Sequence, residues 1–128
     1  EAGKTYYFEA YIMHDVSNTG TAASATQYFV AAYDGTAGQG VLNYTAEHTL
    51  TYPSTGMTVQ AFVGNNVSSS GAIATLSQTN LLTRLTGTYY NGSSSAQNLF
   101  IKANTVPNSS TTSLIIRGSS FLKFTKLN

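Results

Sequence analysis

The chain carries two histidines, and each stands beside a carboxylate: His14–Asp15 and Glu47–His48. These are the residue types from which acid–base pairs and hydrolytic triads are assembled. Both pairs fall in runs that read as strands, where successive side chains point to opposite faces. Neither pair then acts as a dyad by itself, and a hydrolytic site would need His14 and His48 to converge in the fold. Serine is abundant, but no Gly-x-Ser-x-Gly turn presents one as a nucleophile. His48 shares a strand phase with Leu42, Tyr44, Ala46 and Leu50, which marks it as a half-buried structural histidine. A metal would have to draw on His14, Asp15, Glu47 and His48 together, without any zinc spacing or calcium-loop pattern. No cysteine adds a thiolate. The stretch "DGTAGQG" is Gly-rich but lacks the Lys-Ser/Thr of a phosphate loop and opens no helix, so it reads as a turn. The expectation is a non-enzymatic chain with no metal and no cofactor.

Binding chemistry is better supplied. Tyr33, Asp34, Tyr52, Tyr89, Tyr90 and Asn91 sit at strand ends beside polar loops and form the candidate ligand or receptor surface. Tyrosines with Asn and Asp can stack on a glycan and hydrogen-bond it. The competing reading, which is favoured, has these tyrosines capping the core or filling subunit contacts. Tryptophan, the usual platform of a free-standing carbohydrate-binding module, is absent. Asn43, Asn66, Asn91 and Asn108 stand in N-x-S/T form, yet Ser and Thr are so frequent that these matches argue little for use as glycosylation sites.

The elements that must position these residues are strands. No stretch keeps an i, i+3, i+4 apolar pattern between caps, whereas β-branched and aromatic runs alternate with Gly, Asn and Ser clusters. "TYYFEAYIMH", "ATQYFVAAY", "VLNYTAEHTL", "MTVQAFV", "AIATLS", "LLTRLTGTYY", "QNLFIKA", "SLIIR" and "FLKFTK" give eight or nine strands. Asn91-Gly92 after an apolar run is the best single hairpin signal. Strands at this spacing, without linker or repeat, predict one all-β antiparallel domain over residues 1–128, a sandwich or jelly roll. The chain opens on Glu1 rather than Met, so a preceding segment is expected and the domain reads as the C-terminal part of a longer chain.

Charge narrows the partners. Asp, Glu, Lys and Arg make up 9% of the residues, against about 25% in an average soluble domain. With 41% hydrophobic residues, so few charges suggest that partner subunits cover part of the surface. The net charge of +1 gives no electrostatic case for nucleic acid or membranes. All five acids lie in the first 47 residues, and five of the six bases lie from Arg84 onward. A fold that pairs the two ends of the chain could neutralise one set with the other.

The ends are also two-faced. Tyr6, Phe8, Ala10 and Ile12 share one phase, and Tyr7, Glu9, Tyr11 and Met13 the other. The carboxylate-free phase should face the core, because an unpaired buried charge is costly. Yet the Glu9 phase is itself mostly aromatic and apolar, and Phe121, Leu122, Phe124 and Leu127 carry apolar surface to the end of the chain. If the first and last strands pair, one face fills the sandwich and the other meets another subunit, with Glu9 near Lys123. Tyr7, Glu9, Tyr11, Met13, Phe121 and Lys123 are the candidate subunit contacts.

The first strand "TYYFEAYIM", together with Gly87, Asn91-Gly92 and the ending from Gly118-Ser119 through Lys126-Leu127, resembles terminal domains of tailed-phage virion proteins. The resemblance covers the first strand and roughly the last 45 residues and leaves the middle unmatched. It implies a jelly roll similar to tumour-necrosis-factor and complement C1q heads, a homotrimer with its first and last strands as neighbours near the threefold axis. It further implies a virion-surface location, other virion proteins as partners, and a role as capsid decoration, fibre knob or contact with a host-surface glycan. It carries over no catalytic residue. The alternative function is a secreted or surface glycan-binding β-sandwich module.

Overall fold

The computed structural model is all-β, with nine strands in two antiparallel sheets among the described residues. Its backbone is described at residues 1–18, 25–34, 39–50, 56–64, 72–75, 78–106 and 112–128, and its side chains at residues 1–17, 31–34, 39–48, 81–103 and 113–128. The strands are β1 (Lys4–Asn18), β2 (Ala25–Tyr33), β3 (Gly40–Leu50), β4 (Gly56–Gly64), β5 (Ala72–Thr75), β6 (Gln78–Asn91), β7 (Leu99–Val106), β8 (Thr112–Ile116) and β9 (Phe121–Lys126). The large sheet runs β4-β3-β6-β1-β8, with β9 also on β1, and the small sheet runs β5-β2-β7.

Strand β1 organises the large sheet. One edge pairs with β6 over nearly its whole length. The other edge takes two strands end to end: β9 opposite Tyr6–Tyr11 and β8 opposite His14–Asn18. The excursion from Arg117 to Ser120 separates them. Its ends return to β1 through Arg117 N–H to Met13 C=O at 2.8 Å. Ser120 then does the work of a backbone group. Its hydroxyl accepts from Met13 N–H at 2.9 Å and donates to Met13 C=O at 3.1 Å. The ladder of β1 is therefore satisfied where its partner strand leaves it.

The alternation of β1 sorts as the sequence phase predicts. Phe8, Ala10, Ile12, His14 and Val16 are buried, while Tyr7, Glu9, Tyr11 and Met13 are partly exposed on the other face. The buried phase packs with Leu42, Tyr44 and Ala46 of β3, Leu85 and Tyr89 of β6, and Ala31 and Tyr33 of β2 into one core. Leu99 and Ile101 of β7 close it from the small sheet. Ala10, Ala31 and Ala46 leave the room that the larger rings fill, and the Phe8 and Tyr44 centroids stand 6.3 Å apart. Gly87 serves the same packing at the backbone level. A Cβ there would lie 2.1 Å from the carbonyl oxygen of Asn43 and 2.5 Å from Tyr44 Cβ.

The expected pairing of the first and last strands is present, with Glu9 opposite Lys123 in register. The expected consequence for the inner phase of β9 is not. Leu122 and Phe124 lie opposite Ala10 and Phe8, yet they remain 39% and 44% exposed. The three strands of the small sheet do not cover them.

Candidate functional site

The outer face of the large sheet carries three cross-strand rows through β3, β6, β1 and β9. The first is Glu47–Arg84–Tyr11–Phe121, the second Thr45–Thr86–Glu9–Lys123, and the third Asn43–Thr88–Tyr7–Thr125. Neighbours within such rows interact because their Cβ atoms stand about 5 Å apart. Arg84 is the hub. It lies 3.7 Å from Glu9 and 3.5 Å from Glu47, and its guanidinium sits 5.3 Å from the Tyr11 ring centroid. Tyr11 in turn stacks on Phe121, with centroids 4.9 Å apart and planes inclined by 19°. Tyr7 donates to Glu9 Oε1 at 2.9 Å, and this bond pushes the Tyr7 phenol pKa up.

The six candidate contact residues thus share one face of two paired strands. Tyr7, Glu9, Tyr11 and Met13 follow one another along β1, and Phe121 and Lys123 stand beside Tyr11 and Glu9 on β9. Glu9 is engaged by Tyr7 and Arg84 rather than bridged to Lys123. Sequence reasoning does not single out Arg84. The available signal is that it is the one charged residue in "LLTRLTGTYY", a run whose alternate positions are apolar.

Strand β9 adds apolar surface on both of its faces. All six of its residues are exposed, with Phe121 at 52%, and Leu127 beyond it is exposed too. It pairs only with β1, and β7 pairs only with β2, so each presents a free backbone edge among the described residues. Between them runs an apolar groove of about 410 Å³, with Ala10 and Ile12 of β1, Leu99 and Ile101 of β7, and Leu122 of β9 among its lining.

The candidate ligand residues are placed differently from one another. Tyr33 and Tyr89 are buried members of the core, with ring centroids 5.2 Å apart. Tyr33 donates to the Gly40 carbonyl at 3.2 Å, and Tyr89 donates to Gln97 Oε1. Burial pushes the Tyr89 phenol up to about 12. Asn91 is buried, donating to the carbonyls of Glu1 at 3.1 Å and Ser95 at 2.9 Å while accepting from Ser93 N–H at 3.0 Å. That burial also seals the Asn91 sequon. Asp34 is exposed and accepts from Asn98, whose backbone and side-chain amides hold its carboxyl pKa down. Tyr90 stands 43% exposed beside the buried Tyr89. Tyr52 lies outside the described residues, as do the sequons at Asn66 and Asn108.

The two histidines do converge. His14 Nε2 and His48 Nδ1 each lie 3.0 Å from Thr83 Oγ1. The hydroxyl can donate to one ring while accepting from the other. All three residues are at most 1% exposed, so His48 is fully rather than half buried. Burial lowers both imidazoles to about 4, with the neighbouring His48 adding to the effect at His14 and Asp15 opposing it. Their sequence neighbours point the other way, as strand alternation requires. Asp15 pairs with Arg117, and Glu47 with Arg84. Among the described residues no three His, Asp or Glu side chains form a metal-holding group.

No family model, curated protein or solved structure matches the chain.

Proposed function

We propose that the chain is a non-enzymatic structural domain of a tailed-phage virion. It trimerises as a capsid decoration or fibre knob on the particle surface, contacts other virion proteins, and contributes to attachment at the host surface. The observation that carries this reading is the paired terminal strands. Tyr11 stacks on Phe121 across them, and every residue of β9 is exposed on one face or the other. An edge strand with exposed apolar side chains invites pairing or aggregation unless something covers it. A neighbouring copy covers it at the subunit contact, where aromatic residues and arginine are enriched, and Tyr7, Tyr11, Phe121 and Arg84 supply them on this face. The sealed His14–Thr83–His48 cluster supports a structural role for the histidines.

The jelly-roll assignment belongs to the same proposal. Two antiparallel sheets with adjacent first and last strands support it. The β3–β4 hairpin lies within one sheet, a departure from the alternation between sheets that a double Greek key prescribes. The test of the virion assignment is mass-spectrometric detection of the chain in density-purified particles of the phage that encodes it. Recovery at a stoichiometry divisible by three is the expected result, and absence from intact particles contradicts it.

A further inference from the structure

A second cavity, of about 280 Å³, opens where the start of β1 meets the segment between β6 and β7. Tyr6, Tyr89, Phe124 and Leu99 supply apolar walls, and Gln97 and Asn98 supply amides. Each amide is held by one half and leaves the other half without a partner among the described residues. Gln97 Oε1 accepts from the Tyr89 hydroxyl, which orients the NH2 group away from that bond. Asn98 donates Nδ2–H to Asp34 Oδ2 at 2.6 Å, and a carboxylate can only accept, so Oδ1 is the remaining half. Asn98 is fixed a second time by its backbone, because Asp34 N–H donates to its carbonyl at 3.0 Å. Adjacent residues thus present one oriented donor and one oriented acceptor beside aromatic rings.

We infer that this cavity binds a small neutral saccharide, with Gln97 Nε2 and Asn98 Oδ1 taking its hydroxyls and Tyr6 and Phe124 taking its C–H faces. A hydroxyl donates and accepts at once, so a vicinal pair satisfies both amide halves. The volume lies near the lower end for ligand pockets, which suits one sugar ring rather than a chain. Charge argues against anions. The Glu1 carboxylate lines the cavity and pairs with Lys126 at 2.6 Å, and the Glu1 amino group donates to the Tyr6 hydroxyl at 2.8 Å, so both of these cations are already engaged. The site differs from the surface expected at Tyr33 and Tyr90. It shares Tyr89 and Asn91 with that set, but both residues act as buried supports.

The inference is independent of trimer formation and is tested separately. The 15N-labelled chain is titrated with glucose, galactose, mannose, N-acetylglucosamine and rhamnose, and with adenosine as a flat aromatic comparison, while amide shifts are followed. Millimolar binding of at least one sugar is expected, with shifts centred on Tyr6, Gln97, Asn98 and Phe124. Gln97→Ala and Phe124→Ala should each weaken it at least about fivefold, roughly the loss of one hydrogen bond or contact of about 1 kcal/mol. Phe124 is 44% exposed, so its truncation leaves the fold intact, which the rest of the spectrum verifies. Tyr90→Ala should leave the affinity unchanged. Sugar binding that ignores both cavity substitutions, binding of adenosine alone, or no shift with any sugar overturns the inference.

Discussion

Thr83 joins two buried histidines at the centre of the large sheet. Its hydroxyl serves two imidazoles in a space closed to water. Thr83→Val keeps the shape and removes the hydroxyl from both rings. Unmet buried polar groups cost about 1–3 kcal/mol each, so a loss of about 2–4 kcal/mol in urea unfolding is expected. A loss below about 0.5 kcal/mol would show that the hydroxyl is not shared as the geometry indicates. The same cluster fixes a pH dependence. Both histidines fold with pKa values lowered to about 4 from an unfolded value of 6.5. Between those values the unfolded chain binds more protons than the folded one, so the histidine contribution to stability falls as pH drops from about 6.5 to about 4 and levels off below. Each histidine contributes a loss of the order of 3 kcal/mol across that window. Urea midpoints measured from pH 7.5 down to 4 should show the decline, and a flat profile over the window would rule out two buried neutral imidazoles.

At the scale of elements, Gly87 and Ser120 permit the arrangement of the large sheet. Gly87→Ala drives a methyl into the backbone of Asn43 and against Tyr44. Because the obstacle is backbone, β3 must separate from β6, and a destabilisation of about 3 kcal/mol or more is expected, at the upper end of overpacking costs. A thermal midpoint within error of the parent would show that β3 and β6 do not approach so closely. Ser120→Ala should cost about 1–2 kcal/mol and speed amide hydrogen exchange at Met13, whose N–H it leaves open. Unchanged exchange at Met13 would show that the serine does not stand in for the missing ladder.

Much of this layer is legible in the sequence. The two phases of β1 separate cleanly because only one contains a carboxylate, and the apolar ending pointed to a paired last strand. The splitting of β8 from β9 along β1 and the hub at Arg84 are not legible. They depend on register between strands far apart in the chain, and no local pattern encodes it. The candidate tyrosines show the limit from the other side. Tyr33, Tyr89 and Tyr90 have similar neighbours in sequence, but one step of strand alternation puts Tyr89 in the core and Tyr90 at the surface.

At the scale of the whole molecule, the aromatic and apolar surface of β9 should be covered in the functional assembly. Phe121 and Thr125 are exposed on the outer face of β9 in the single chain, so replacing them with Glu does not disturb its fold but places charge in the proposed contact. The double variant should remain folded and lose its self-association. The most direct measurement is the solution mass by light scattering after gel filtration, at micromolar concentration. One chain weighs 13.6 kDa, so three weigh 40.8 kDa. The trimer mass is expected for the parent chain and the single-chain mass for the double Glu variant. A parent chain that elutes as a monomer, or a variant that keeps the parent's assembled mass, would contradict the proposed contact.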